Sequence, residues 1–279
     1  MTGSLPIGVV IRTIDADPLT WLESARRLDE AGYAGVWAWD HLMGPAPGSA
    51  VLEAWTMLSM AAASTTRITI GTFVANVMNR HPAVLARMAA SLQAACAGRL
   101  ILGLGVGAET GEHTALGMEY PRITERAARL EEAVAMMRAL WSGEPATRES
   151  RFYPLNGAVA LPVPQPRPPV VIAGESPAGA RLAARVGDGW TTSDTNFERL
   201  LPAYLGALAE AGRRREPQLV LVEVNEGDWL ADVSLKRSEW VLQPRKAWQR
   251  WREAGADGAV IQARSRADVD ALVTAVERW

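Results

Sequence analysis

The chain has little of several things that carry chemistry. Among its 279 residues there is one cysteine, which excludes an internal disulfide and a thiolate metal cage. That residue, Cys96, stands between Ala95 and Ala97 at an expected helix end, where a packed thiol is the natural reading. There are only 3 histidines, too dispersed to suggest a metal site. No apolar run reaches membrane-spanning length. The opening M-T-G-S-L-P-I-G-V-V lacks the basic region and long apolar core of a signal peptide, so the expectation is a cytoplasmic protein. A balance of 29 basic and 31 acidic residues, net −2, gives no electrostatic reason to expect nucleic acid or an acidic membrane surface. The arginines are scattered, several beside acids (Glu125/Arg126/Arg129, Arg252/Glu253), and read as solvated helix faces. Internal repeats, low-complexity tails, a Walker A loop and a G-x-S-x-G elbow are all missing.

What is present alternates. Leu5 to Ile11 reads as a first strand. Asp17-Pro18 supplies an N-cap and a proline at the first helical position, and Gly32 ends that helix. Gly35 to Trp39 is the second strand, followed by a Gly/Pro-rich loop and a helix from Val51 to Ala63. The stretch Arg67–Glu109 then reads as strand, Ala-rich helix and strand, with Ile68, Ile70 and Val74 β-branched and Leu100 to Leu104 a short apolar run. A loop from Ala108 to Arg122 leads to a helix over Thr124–Trp141. Ser142 to Pro168 has no obvious structure, which argues for an excursion over a site, such as a lid. Pro169–Ala173, Gly189–Thr192, Gln218–Val224 and Gly258–Gln262 are the remaining strands. Helices are expected at Ser176–Val186, Phe197–Ala211, Arg245–Ala254 and Ala267–Arg278, with a piece holding Trp229 and Trp240 left unassigned.

Eight strands, each followed by a helix, at this length predict an α/β fold, a (β/α)8 TIM barrel. We expect a single domain over residues 1–279, with an insertion between the fourth helix and fifth strand. A doubly wound sheet is the competing arrangement, since alternation alone does not prove closure.

In such a barrel the chemistry collects where strands end. The candidates are Arg12-Thr13, Asp40-His41, Ala75-Asn76, Val106-Gly107 with Glu109, Gly174-Glu175-Ser176, Ser193-Asp194, Glu223-Asn225 and Gln262. His41 leads, because a histidine beside a carboxylate at a strand end is suited to moving a proton near neutrality. A turn-capping histidine would look the same. His81, in R-H-P, reads as a helix start, and His113 lies in a polar loop without an assignment. Gly103-x-Gly105-x-Gly107 lacks dinucleotide spacing and is followed by a loop. Its small residues could let a planar ligand or a phosphate approach the backbone. Gly174-Glu175-Ser176-Pro177 opens a helix, where free N–H groups meet anions, although Ser176 could equally be an ordinary cap.

W-D-H after the second strand, L-E-A-W-T-M-L-S-M-A-A-A-S-T-T-R-I-T-I-G-T, R-H-P-A-V-L-A-R, A-G-R-L-I-L-G-L-G-V-G and P-P-V-V-I-A-G-E-S-P-A-G…G-D-G-W together resemble the bacterial luciferase-like superfamily of barrel flavoenzymes, over nearly all of residues 5–195. The likeness is strongest to the branch using the deazaflavin coenzyme F420. The resemblance implies that Asp40 touches the deazaflavin and that His41 is the acid/base near the hydride-carrying carbon. It also implies a non-prolyl cis peptide at Phe73-Val74, backing the ring together with Ala75 and Asn76. Val106, Gly107 and Ala108, with Ala173, Gly174, Glu175 and Ser176, would hold the ribityl phosphate. Sugar-phosphate dehydrogenases of this branch carry a glutamate where Ala108 stands, so Glu109, one residue later, is the second catalytic candidate. They also have a tryptophan where Leu42-Met43-Gly44-Pro45 follows here, so sugar-phosphate oxidation is not the expectation.

The expected activity is therefore F420-dependent hydride transfer to or from a small organic substrate, in a homodimer. An FMN-dependent monooxygenase and a catalytically silent flavin-binding barrel are the alternatives; fold alone does not establish activity.

Overall fold

The computed structural model describes residues 5–108, 110–226 and 234–279. Eight parallel strands close in the order β1-β10-β9-β8-β7-β4-β3-β2, so the barrel forms and the doubly wound alternative falls. The first half runs β1 (Leu5–Ile11), α1 (Pro18–Glu30), β2 (Tyr33–Ala38), α2 (Ala54–Ser64), β3 (Thr69–Asn76), α3 (Pro82–Ala95) and β4 (Leu100–Gly105). Short α4 (Thr110–Ala115) interrupts the loop expected there, and α5 (Ile123–Leu140) follows. After the hairpin strands β5 (Ala146–Arg148) and β6 (Leu155–Ala158), the wall resumes with β7 (Val170–Ala173), α6 (Pro177–Val186), β8 (Gly189–Ser193) and α7 (Asp194–Glu210). It closes with β9 (Leu219–Val224), α8 (Glu239–Leu242), α9 (Pro244–Glu253), β10 (Gly258–Ala263) and α10 (Arg266–Ala275). Trp229 lies outside the described residues; Trp240 is buried in α8. Among the described residues no helix is long and apolar enough to cross a membrane.

The helix starts follow their caps. Asp17 accepts from the Thr20 N–H and Ser176 from the Gly179 N–H, each with proline next in line. His81 caps α3 by accepting from the Ala83 N–H, as its place before Pro82 suggested. Cys96 is buried at the end of α3, and His113 is buried against Tyr120 with ring centroids 4.4 Å apart. Asp29 at the end of α1 accepts the backbone N–H groups of Thr66, Arg67 and Ile68. Those bonds hold its carboxyl below the usual carboxylate range against the cost of burial, and they fix where β3 begins.

Two apolar layers result from strand alternation. Val9, Val36, Ile70, Leu102, Ile172, Val220 and Ile261 face the helices in the large outer core. Val10, Trp37, Trp39, Phe73, Val171, Leu221 and Val260 fill the lumen. Trp37 occupies most of one level there, because Gly8, Gly35 and Gly71 leave room. A Cβ on Gly8 would stand 2.1 Å from the Trp37 Nε1, and one on Gly71 would stand 2.2 Å from its Cζ3.

The Ser142–Pro168 insertion is the β5–β6 hairpin and its flanks. Ser150 and the Phe152 N–H bond to Glu132 on α5. Tyr153 meets His81 edge-on at 5.4 Å, and Gln93 on α3 donates to the Pro166 carbonyl. These contacts tie the segment to the outside of α3 and α5, which corrects its reading as a lid.

Candidate active site

The strand ends gather at one rim, and its levels can be counted. With the stagger such barrels carry, a shear of about 8 residues, the strand registers bring Val10, Phe73, Ala173 and Glu223 to one level of the lumen. Trp39, Gly105, Ser193 and Gln262 form the level above it. Ala173 and Ser193, both small, are partly exposed at these levels.

Asp40 and His41 point in different directions. Asp40 keeps the outward parity of Val36 and Ala38 and is 5% exposed. Both of its oxygens take the Arg80 guanidinium at 2.7–2.8 Å, and it also accepts from the Asn76 N–H and the Asn79 amide. Burial pushes its carboxyl up, against the pull of Arg80 and Asn76. Its bonds therefore go to holding the end of β3 beside β2. His41 keeps the inward parity of Trp37 and Trp39 and meets the Trp39 ring edge-on. Its carboxylate neighbour is Glu112 on α4, 3.6 Å from Nδ1 to Oε1. Glu112 also accepts the Leu42 and Met43 N–H groups, which anchors the loop after His41. Sequence reading missed Glu112, since nothing in its spacing marks a short helix in that loop. Glu109 lies outside the described residues.

The Phe73-Val74 peptide is cis, as the resemblance implied, and the pairing of β3 with β4 shifts between Thr72 and Ala75. The glycine run beside it serves this bulge. A Cβ on Gly103 would stand 2.2 Å from the Thr72 carbonyl oxygen, and one on Gly105 would stand 2.7 Å from a Val74 methyl. The close approach expected of a ligand at these glycines is made by the chain's own β3, which corrects that reading. Gly107 adopts φ +75, with Asn76 and the Tyr120 hydroxyl close to where its Cβ would be. Arg126, expected on a solvated helix face, corrects that reading. It is buried, not solvated; it donates to the Val106, Gly107 and Pro121 carbonyls and stacks 4.0 Å over Tyr120. It thus fixes Val106-Gly107-Ala108 at the rim.

Across the mouth, Ala173 and Gly174 lead into α6. A Cβ on Gly174 would lie 2.6 Å from the Gly179 carbonyl carbon, so strand end and helix start touch backbone to backbone. Glu175 turns its carboxylate to the Ser193 N–H and hydroxyl and to Asn196. Its carboxylate is thereby bonded to the start of α7. No group of three His, Cys, Asp or Glu among the described residues is arranged to hold a metal.

The sequence matches the family described as luciferase-like monooxygenase over residues 12–225. It is 34% identical over 236 residues to an F420-dependent glucose-6-phosphate dehydrogenase of Microbacterium testaceum, covering 80% of this chain and 68% of that protein. An F420-dependent hydroxymycolic acid dehydrogenase of Mycobacterium tuberculosis is 35% identical over 216 residues, 76% of this chain and 59% of that one. Of further dehydrogenases like the first, the chain spans 57–60% of the length. In fold it is similar to an F420-dependent secondary alcohol dehydrogenase solved with an F420-acetone adduct, with a TM-score of 0.81 at 23% identity, covering 97% of this chain and 98% of that one. It is also similar to the monooxygenase RslO1 of Streptomyces bottropensis, with a TM-score of 0.75 at 22% identity, covering the same shares.

Proposed function

Because this chain belongs to the luciferase-like monooxygenase family, we propose that it is an F420-dependent oxidoreductase acting on a small organic alcohol or carbonyl compound. The observation that carries this reading is the 34% identity, over 80% of the chain, to a dehydrogenase named for F420.

The rim fits such a cofactor on one feature of its own. The start of α6 offers first-turn N–H groups and the positive end of a helix dipole where Gly174 meets it, a setting suited to phosphate. In this reading Phe73, Val74, Ala75 and Asn76 line the ring, while Val106, Gly107 and Ala108 with Ala173 to Ser176 hold the ribityl phosphate. Asp40 contributes by fixing the Asn76 backbone. The deazaflavin, when bound, supplies two-electron hydride chemistry. His41, held by Glu112 through its loop, moves a proton at the rim.

The test is equilibrium binding of the purified protein to F420 and, separately, to FMN. Saturable F420 binding is expected. FMN binding with none for F420 would turn the reading to the monooxygenase chemistry, and binding of neither would leave the silent barrel.

A homodimer, which the resemblance implies, belongs to the same reading. Light scattering would decide it.

A further inference from the structure

Glu223 is the one acid on the lumen face of β9. Leu219 and Leu221 share its parity and belong to the lumen cluster, while Val220, Val222 and Val224 pack outward. Its level also holds Phe73, on the opposite side of the barrel, and the partly exposed Ala173, with the partly exposed Ser193 one level up. On β10 the neighbour one level up is Gln262, which is neutral; below, on β8, is the unpartnered Thr191 hydroxyl. The charged groups acting on Glu223 are Glu175 after β7 and Asp194 after β8, both negative. Those two have donors of their own: Glu175 those of Ser193 and Asn196, and Asp194 the Thr195 and Asn225 N–H groups. No described residue donates to Glu223. It is mostly buried, and burial, reinforced by the two like charges, pushes its carboxyl up to about 7. The three acids are not arranged around a cation position. A carboxyl in that setting, reachable from the mouth and facing the cofactor-lining strand, is placed for proton transfer.

We propose that Glu223 exchanges a proton with the substrate's oxygen inside the barrel lumen, as a second acid/base distinct from His41 at the rim. This rests on the oxidoreductase reading above. In the oxidation direction a secondary alcohol breaks the C–H bond of its carbinol carbon and its O–H bond, and forms the C=O double bond of a ketone. The hydride, with two electrons, goes to the deazaflavin, which is reduced, and the O–H proton goes to the Glu223 carboxylate. Glu223 then releases that proton to water through the mouth. Carbonyl reduction runs the same transfers backwards, with Glu223 starting protonated.

The test uses the F420-loaded protein, its Glu223→Gln and Glu223→Asp variants, and 2-propanol and glucose 6-phosphate as probes. Infrared difference spectra are expected to contain a protonated-carboxyl band that disappears as pH rises through about 7 and is missing from Glu223→Gln. That variant should bind F420 within about twofold of wild type and lose about 100-fold or more in kcat on whichever probe turns over. Its pH profile should lose the limb near 7, whereas Glu223→Asp should retain a limb at reduced kcat. Unchanged turnover and pH profile in Glu223→Gln, with F420 bound normally, would overturn this proposal alone. If neither probe turns over, the band decides: its presence supports the assignment and its absence overturns it. Failure of the wild type to bind F420 would overturn the functional reading, and this proposal with it.

Discussion

His41 Nδ1 faces Glu112 Oε1 at 3.6 Å, although Asp40 is its neighbour in the chain. Alternation explains the choice: successive side chains at the end of β2 leave on opposite faces. Asp40 goes outward to Arg80, and His41 goes to the mouth, where α4 brings Glu112. The same carboxylate binds the two N–H groups after His41, so one residue both faces the imidazole and anchors its loop. Glu112→Gln should lower turnover with F420 about tenfold, and His41→Ala about 100-fold. Both should keep F420 affinity within about threefold. Steady-state assays and fluorescence titration read the two effects separately.

Removing Arg80 should be costly. It is the cationic partner of Asp40, and Asp40 is nearly inaccessible to water. Arg80→Met leaves a buried carboxylate on two amide donors. A loss of about 3–5 kcal/mol is expected, measured by urea unfolding, with a smaller loss for Asp40→Asn, which removes the charge itself.

The lumen tryptophan gives a packing test. Gly71→Ala drives a methyl into the Trp37 ring, an overpacking worth about 1–3 kcal/mol. Trp37→Ala instead opens a cavity and should cost about 3–5 kcal/mol. The two defects share one space, so the double variant should be more stable than the sum of the losses implies. Thermal melts of the three proteins provide the comparison.

Glu223 should make stability fall with pH. Its carboxyl is raised in the folded protein, to about 7 from 4.5. Such a group's contribution is fully present below pH 4.5, declines from there, and is lost as pH rises through 7, because ionisation then costs the folded state more than the unfolded. Glu223→Gln cannot ionise. Relative to wild type it should gain on the order of 2 kcal/mol between pH 5 and pH 8. Denaturant titrations of both proteins at the two pH values check the sign and the size.

Much of this architecture was legible in the residues. Strand and helix alternation, with Asp17-Pro18, His81-Pro82 and Ser176-Pro177 as starts, fixes the order of the elements, because caps, prolines and side-chain periodicity act over a few residues. The five runs from W-D-H to G-D-G-W, taken together and in order, were enough to indicate the family, and the likeness to one branch of it the deazaflavin. Local signals could not say which way adjacent residues face once the strands close. That Asp40 is spent on Arg80, that Glu112 attends His41, and that Gly103 and Gly105 admit β3's bulge all depend on contacts between elements distant in sequence. So do the burial of Arg126 under the rim, the docking of the Ser142–Pro168 hairpin on the outer wall, and the level that Glu223 shares with Phe73. Closure and its stagger decide these positions. A one-residue slip between neighbouring strands would turn Glu223 from the lumen to the helices, with no change in the sequence on either side.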